Sequence, residues 1–151
     1  MGTPTPERFQ TPFGRHGRCT FNATWDQTDN DDLENELVLR LDEMSDWLID
    51  PTDAQKPQKR MGIISVDWSS SLIVSGDLEW DSVPTGPDSR IMSFPTDATA
   101  GHISFASFPD GCMPDPNPLS PGNAILTTRN ALPGDEVNFI IVYKEKGAMR
   151  P

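Results

Sequence analysis

Few side chains in this chain could do chemistry. It has two histidines, His16 and His102, and two cysteines, Cys19 and Cys112. Nucleophilic catalysis needs a Ser or Cys beside a base. Cys112 follows His102 closely enough that the fold could bring them together. The thiol's neighbours Asp110, Gly111, Met113 and Asp115 make an acidic setting, whereas a reactive thiolate needs an electropositive one. Zinc asks for four Cys or His ligands at tight spacing, which this scattered set does not supply. Pro84-Thr85-Gly86-Pro87 is a turn with no helix after it, so it does not read as a phosphate cradle. The acidic stretch 26–36 offers hard oxygens, but no Gly sits at the sixth position from Asp29, so the EF-hand spacing fails. Asp and Glu are too abundant for a glycosidase-type pair to stand out. Trp25, Trp47, Trp68 and Trp80 could stack on sugars, yet three of them sit at core-like strand positions. Trp47 is the better surface candidate. The residues therefore indicate no cofactor, no metal and no catalytic group.

The elements that position these residues read as short strands. Fifteen prolines and 11 glycines in 151 residues imply many turns, and the length suffices for one domain with a real core. Net charge is −11, which disfavours phosphate backbones and so argues against nucleic acid. No stretch approaches the roughly 20 apolar residues of a membrane span, and the first 18 residues lack the apolar run of a secretory signal. With no export signal, the two cysteines read as small buried apolar residues.

The charge is uneven. Residues 1–18 carry Arg8, Arg15 and Arg18 against Glu7, whereas 26–53 carry eleven carboxylates and only Arg40. Pro4, Pro6 and Pro12 keep the first 18 residues extended, so they read as an N-terminal arm. Phe9 and Phe13 are its aromatic anchors, with Arg8, Arg15 and Arg18 as its basic contacts. Such an arm can dock on an acidic neighbour or fold back on its own domain.

Residues 19–25 alternate cleanly, with Cys19, Phe21, Ala23 and Trp25 on one face. Asn22-Ala23-Thr24 matches the glycosylation pattern by chance in a chain without a signal peptide. Leu33, Leu37, Leu41, Met44 and Leu48 recur at helical spacing, with Asp31 and Glu34 able to form a capping box. Leu37, Leu39 and Leu41 also alternate as a strand. Further strands are expected at 61–68, 72–80 (with a bulge at Gly76), 90–94 and 102–108. Residues 109–121 are rich in proline and irregular. Leu132-Pro133-Gly134-Asp135 has Pro and Gly where a type II turn requires them, joining strands 124–129 and 137–143 as a hairpin. Val137, Phe139, Ile141 and Tyr143 share one face. Ile140 and Val142 are apolar on the other, so this strand is expected to be covered on both sides. The fold class is all-β: an antiparallel β-sandwich or jelly-roll-like domain over 19–147, with an extended N-terminal arm over 1–18 and a short tail at 148–151.

Four pieces in order carry a resemblance. They are Leu78-Glu79-Trp80-Asp81-Ser82; Ile103-Ser104-Phe105 with Phe108-Pro109-Asp110-Gly111; Gly122-Asn123-Ala124-Ile125-Leu126-Thr127-Thr128; and Pro133-Gly134-Asp135-Glu136 leading to Ile140-Ile141-Val142-Tyr143-Lys144. This order resembles small β-sandwich structural proteins of tailed bacteriophages, over most of residues 19–146. The chain departs from the pattern in Asn123, which stands where Asp is usual, in an insertion at 43–60 and in its first 18 residues. The resemblance implies a strand at 37–42. It also implies a virion component on the outer surface of the phage head, a capsid decoration or cement protein and not an enzyme. Its partners would be the major capsid protein and neighbouring copies of itself, as a homotrimer, with no nucleic acid and no membrane. The other expectation is a receptor- or glycan-binding module on a tail or head fibre.

Overall fold

The computed structural model describes residues 3–13, 16–29, 31–40, 60–71, 74–81, 89–95, 99–114 and 123–146. Among the described residues ten strands follow one another: β1 Glu7–Phe13, β2 His16–Thr24, β3 Glu36–Leu39, β4 Arg60–Ser70, β5 Ser75–Trp80, β6 Ser89–Phe94, β7 Ala100–Ser104, β8 Met113–Pro114, β9 Ala124–Arg129 and β10 Glu136–Lys146. One 3-10 turn, Pro109–Gly111, precedes β8. The strands form two antiparallel sheets. The larger runs β1-β2-β10-β4-β7, with β8 also pairing β4, and the smaller runs β3-β9-β5-β6. Between β2 and β3, β3 and β4, β4 and β5, β6 and β7, β8 and β9, and β9 and β10 the chain passes from one sheet to the other. The molecule is an all-β antiparallel sandwich.

Alternation fixes which side chains go inside. Cys19, Phe21, Ala23 and Trp25 are all buried, and so are Val137, Phe139, Ile141 and Tyr143 on β10. Cross-strand register stacks Phe139 beside Phe21 on one side and Trp68 on the other. From the smaller sheet, Phe94 reaches across to Phe139 (ring centroids 5.7 Å, edge-on) and to Trp68 (5.6 Å). Such aromatic pairs contribute about 0.5–1.5 kcal/mol each beyond the area they bury. Trp25 and Trp80 are fully buried too. Trp47 lies outside the described residues. Both cysteines are buried free thiols, and Cys19 Sγ donates to the Val38 carbonyl at 3.3 Å.

Several expectations are corrected. Residues 7–13 are not a loose arm. They pair residue for residue with β2, from Glu7 opposite Asn22 to Phe13 opposite His16, and form the edge strand of the larger sheet. Of the two dispositions open to the arm, the described part folds back on its own domain. No domain boundary falls at residue 18, because Arg18 lies inside β2. Pro12 is tolerated because an edge strand has one side with no ladder to supply. Gln10 ties this edge to the other sheet: its amide accepts from Arg40 N (2.9 Å) and donates to Arg40 O (2.7 Å).

The Pro133–Gly134 turn forms as read. Gly134 has φ +93°, and Asp135 N donates to Leu132 O at 3.0 Å. Yet it does not close a hairpin. β9 and β10 belong to different sheets, so the turn is a corner between layers. Trp25 anchors it: Gly134 N donates to Trp25 O, and Trp25 N donates to Asp135 O. Residues 32–39 are not a helix, because β9 holds them extended; Leu41, Met44 and Leu48 of the helical spacing lie outside the described residues. Leu33 N donates to Thr128 Oγ1, Thr128 N donates to Leu33 O, and Glu36–Leu39 then pairs with β9. That strand agrees with the one implied at 37–42, of which 41–42 lie outside the described residues. The bulge in the 72–80 strand falls between Leu78 and Glu79, not at Gly76. The strand expected at 102–108 ends at Ser104 and gives way to a turn.

Candidate functional site

The inner face of the larger sheet makes the core, and among the described residues no element lies over its outer face. Ile140 and Val142 are only half-buried, so β10 is covered on one side and not on both. Cross-strand register assembles that face row by row. The central row is Phe9, Thr20, Ile140, Asp67 and His102, contributed by β1, β2, β10, β4 and β7 in turn. On one side lies Glu7, Asn22, Asn138, Ser69 and Ala100; on the other Thr11, Arg18, Val142, Ser65 and Ser104.

Each row has its own chemistry. In the Asn22 row, Asn22 Nδ2 donates to Asn138 Oδ1, and Asn138 Nδ2 donates to Ser69 Oγ at 3.3 Å. This side-chain ladder holds β2, β10 and β4 in register. In the central row His102 Nδ1 meets Asp67 Oδ1 at 2.6 Å, both half-exposed. Phe9 is 69% exposed, the most exposed large apolar side chain among the described residues. Beside Ile140, a shallow depression of about 230 Å³ opens between β4 and β10, lined by Asp67, Trp68, Ser69, Asn138, Phe139 and Ile140. Along the strands the face is polar in charge. Glu7 and Glu136 mark one end, and Arg18, His16 and Lys144 mark the other.

Of the residues singled out from the sequence, Phe9 and Arg18 come together on this face. Arg8 points to the opposite side of β1, where it donates to Gln10 Oε1 at 3.2 Å. Phe13 belongs to β1, but its side chain, like all of Arg15, lies outside the described residues. Asn138, Lys144 and Asp67 were not singled out, His102 entered only as a partner for Cys112, and Ile140 and Val142 only as residues expected to be covered; the apolar run 139–143 is the signal for the last two. His102 and Cys112 do not form a pair on this surface: the thiol is buried and the imidazole faces outward beside Asp67.

Two other polar clusters hold the fold. On the smaller sheet Asp77, with a side chain only 12% exposed, accepts from Arg129 at 2.8 Å and from Ser93, with Arg90 at 3.8 Å. The Arg129 hydrogen bond holds its carboxyl below the usual range. Ser93 and the two positive charges act the same way, and burial opposes them. In the acidic stretch, Asp32 caps the end of β9, accepting from Thr128 Oγ1, Asn130 N and Ala131 N. Asp26 accepts both N–H and O–H of Thr28 at 2.8 Å, which lowers its pKa. Among the described residues no group of three or more His, Cys, Asp or Glu is placed to hold a metal ion.

What the open face can do is bind. It sets apolar Phe9, Ile140 and Val142 among polar and charged side chains, a mixture that contact surfaces between proteins also carry. No protein-family model, curated protein or solved structure matches this chain.

Proposed function

We propose that this chain is a structural virion protein of a tailed phage, a non-enzymatic capsid decoration or cement protein. It binds the outer head shell and stabilises contacts between capsomers, meeting the major capsid protein and neighbouring copies of itself. The observation that carries this reading is the strand order. With β1 and β8 set aside, it is 2-10-4-7 facing 3-9-5-6. That interleaving, with six passages between sheets, supports a jelly roll of two Greek keys, an architecture used by viral capsid proteins and by lectins. The four motif segments fall on it in order: at β5, at β7 and the 3-10 turn, at β9, and at β10. The lectin side of the same architecture gives the fibre-module reading. It is weaker here because Trp25, Trp68 and Trp80 are core residues and cannot stack on a sugar.

Copy number separates the two. Quantitative mass spectrometry of purified particles should find hundreds of copies per head, released together with loss of head stability. A few dozen copies or fewer, located on the tail, would sink the decoration reading.

A further inference from the structure

We propose that the open face of the larger sheet packs against the same face of a second copy of this chain. The two-fold axis lies along the central row, through Ile140, so the strands of the two sheets run in opposite directions. This names the occupant of the surface described above. It does not depend on the virion reading, because it concerns the purified chain.

The charge pattern selects this arrangement. A two-fold along the central row maps each β10 residue to the position equally far beyond Ile140. Glu136 then faces Lys144 of the second copy, and on β2 Asn22 faces Arg18 of the second copy. An axis parallel to the strands would instead stack Lys144 on Lys144 and Glu136 on Glu136, which like charges oppose. The first choice joins the acidic end of one face to the basic end of the other; it also sets Asp67, held by His102 of its own chain at 2.6 Å, opposite its counterpart, one like-charge contact against two opposite-charge ones. Shape agrees with charge. Val142 of the second copy comes over Asn138, at the mouth of the 230 Å³ depression. Ile140 meets its own counterpart at the centre. A contact of this kind is self-complementary and closes at two copies. Sheets packed face to face cross at about 30°, so the fit is closest around Ile140 and loosens toward β1 and β7.

The test is the association state of the full chain, by sedimentation equilibrium and small-angle scattering over a series up to about 1 mM, a range set by the weak affinity expected of a small, half-apolar surface. The native chain should dimerise within the series. Ile140→Asp and, as a second variant that adds charge without removing an apolar side chain, Thr20→Lys should stay monomeric while keeping the native circular dichroism. Lys144→Glu should weaken the dimer ~10-fold, because each dimer contains two Glu136–Lys144 contacts turned from attractive to repulsive. Combining it with Glu136→Lys should restore association. A chain monomeric throughout the series overturns the proposal. So does a dimer indifferent to both Ile140→Asp and Thr20→Lys, or a charge swap that fails to rescue Lys144→Glu.

Discussion

Gly101→Ala tests the packing of the larger sheet at one atom. Gly101 on β7 lies directly across from Trp68 on β4. A Cβ built on Gly101 would stand 2.6, 2.7 and 2.8 Å from Nε1, Cε2 and Cζ2 of the indole. Ordinary contact begins at 3.4 Å, so ring and backbone must separate by about 0.8 Å. The ring cannot give freely, because Phe94 from the opposite sheet lies against it, ring centroids 5.6 Å apart. Overpacking of this size costs about 1–3 kcal/mol. Replacing Gly in a strand returns roughly 0.5–1 kcal/mol through the unfolded state. The net expectation is a loss of up to about 2.5 kcal/mol, or up to roughly 10 °C in Tm for a chain of this length. Urea unfolding followed by circular dichroism should show a lower midpoint with an unchanged slope. The decisive measurement is a double-mutant cycle with Trp68→Leu. That change alone destabilises by leaving a cavity, but in its background Gly101→Ala should be neutral or stabilising. If Gly101→Ala costs the same in both backgrounds, the indole is not what excludes a side chain at residue 101.

Three further outcomes follow from the same geometry. Ile141→Asp places an unpaired carboxylate in the core and should unfold the domain, a loss above about 4 kcal/mol; Ile140→Asp, one residue away on the outer face and opposite Asp67, should cost only about 1–2 kcal/mol and leave the domain folded. Asp77→Asn weakens hydrogen bonds to a charged partner worth about 1.5–3 kcal/mol. Because the folded carboxyl titrates below its unfolded value, its contribution is complete above the ordinary carboxylate range and fades as pH falls through the folded value. The stability gap between Asp77→Asn and the native chain should therefore be widest near neutral pH and shrink in acid; a gap that widens in acid refutes the assignment. Asp32→Ala strips the cap from Asn130 N, Ala131 N and Thr128 Oγ1, and should cost about 1–3 kcal/mol in chemical denaturation.

The sequence carried the strands better than their partners. Alternation from Cys19 to Trp25 identified a buried face because burial on one side leaves a period of two in the residue types. The Pro133–Gly134 turn was legible because φ is a local property. Whether that turn joins neighbours in one sheet or crosses between sheets is not local. It depends on Trp25, more than a hundred residues earlier, holding both ends of the turn. The leucine spacing from 33 onward has the helical period, and what overrides it is Thr128 bonding Leu33 from a distant strand. The basic and aromatic residues near the N-terminus were partly readable as a surface. Adjacent residues of a strand face opposite ways, so Arg8 and Phe9 could not serve one contact once Glu7–Phe13 became a strand. Pro4, Pro6 and Pro12 masked that strand, since proline argues against a ladder but not against an edge.

β10 shows why its own pattern misled. Its odd positions, Val137, Phe139, Ile141 and Tyr143, form the core; Asn138, Ile140 and Val142 lie outside. An apolar residue on the outer face of a strand can mean a second layer of the same chain or a surface kept for another chain. The neighbours decide between them. Thr20, Asn22, Ser65 and Ser69 surround Ile140 and Val142, and a layer of the same domain would have selected apolar partners there. The patch is accordingly small. Burying the exposed parts of Phe9, Ile140 and Val142 contributes on the order of 1 kcal/mol each, so about 6 kcal/mol for two copies, and the two Glu136–Lys144 contacts add up to about 1 kcal/mol each; against an association cost at the low end of roughly 4–15 kcal/mol this leaves about 4 kcal/mol, a Kd of about 1 mM. In free solution such a contact is weak by construction. Were the chain to decorate a shell as proposed, copies held side by side would present the second partner at high effective concentration, and a weak two-fold contact would become a strong one without a new interaction. A surface too apolar would aggregate before assembly, and one without Ile140 and Val142 would not join copies at all. The mixed character of the outer face of β10 is what reversible, site-dependent association requires.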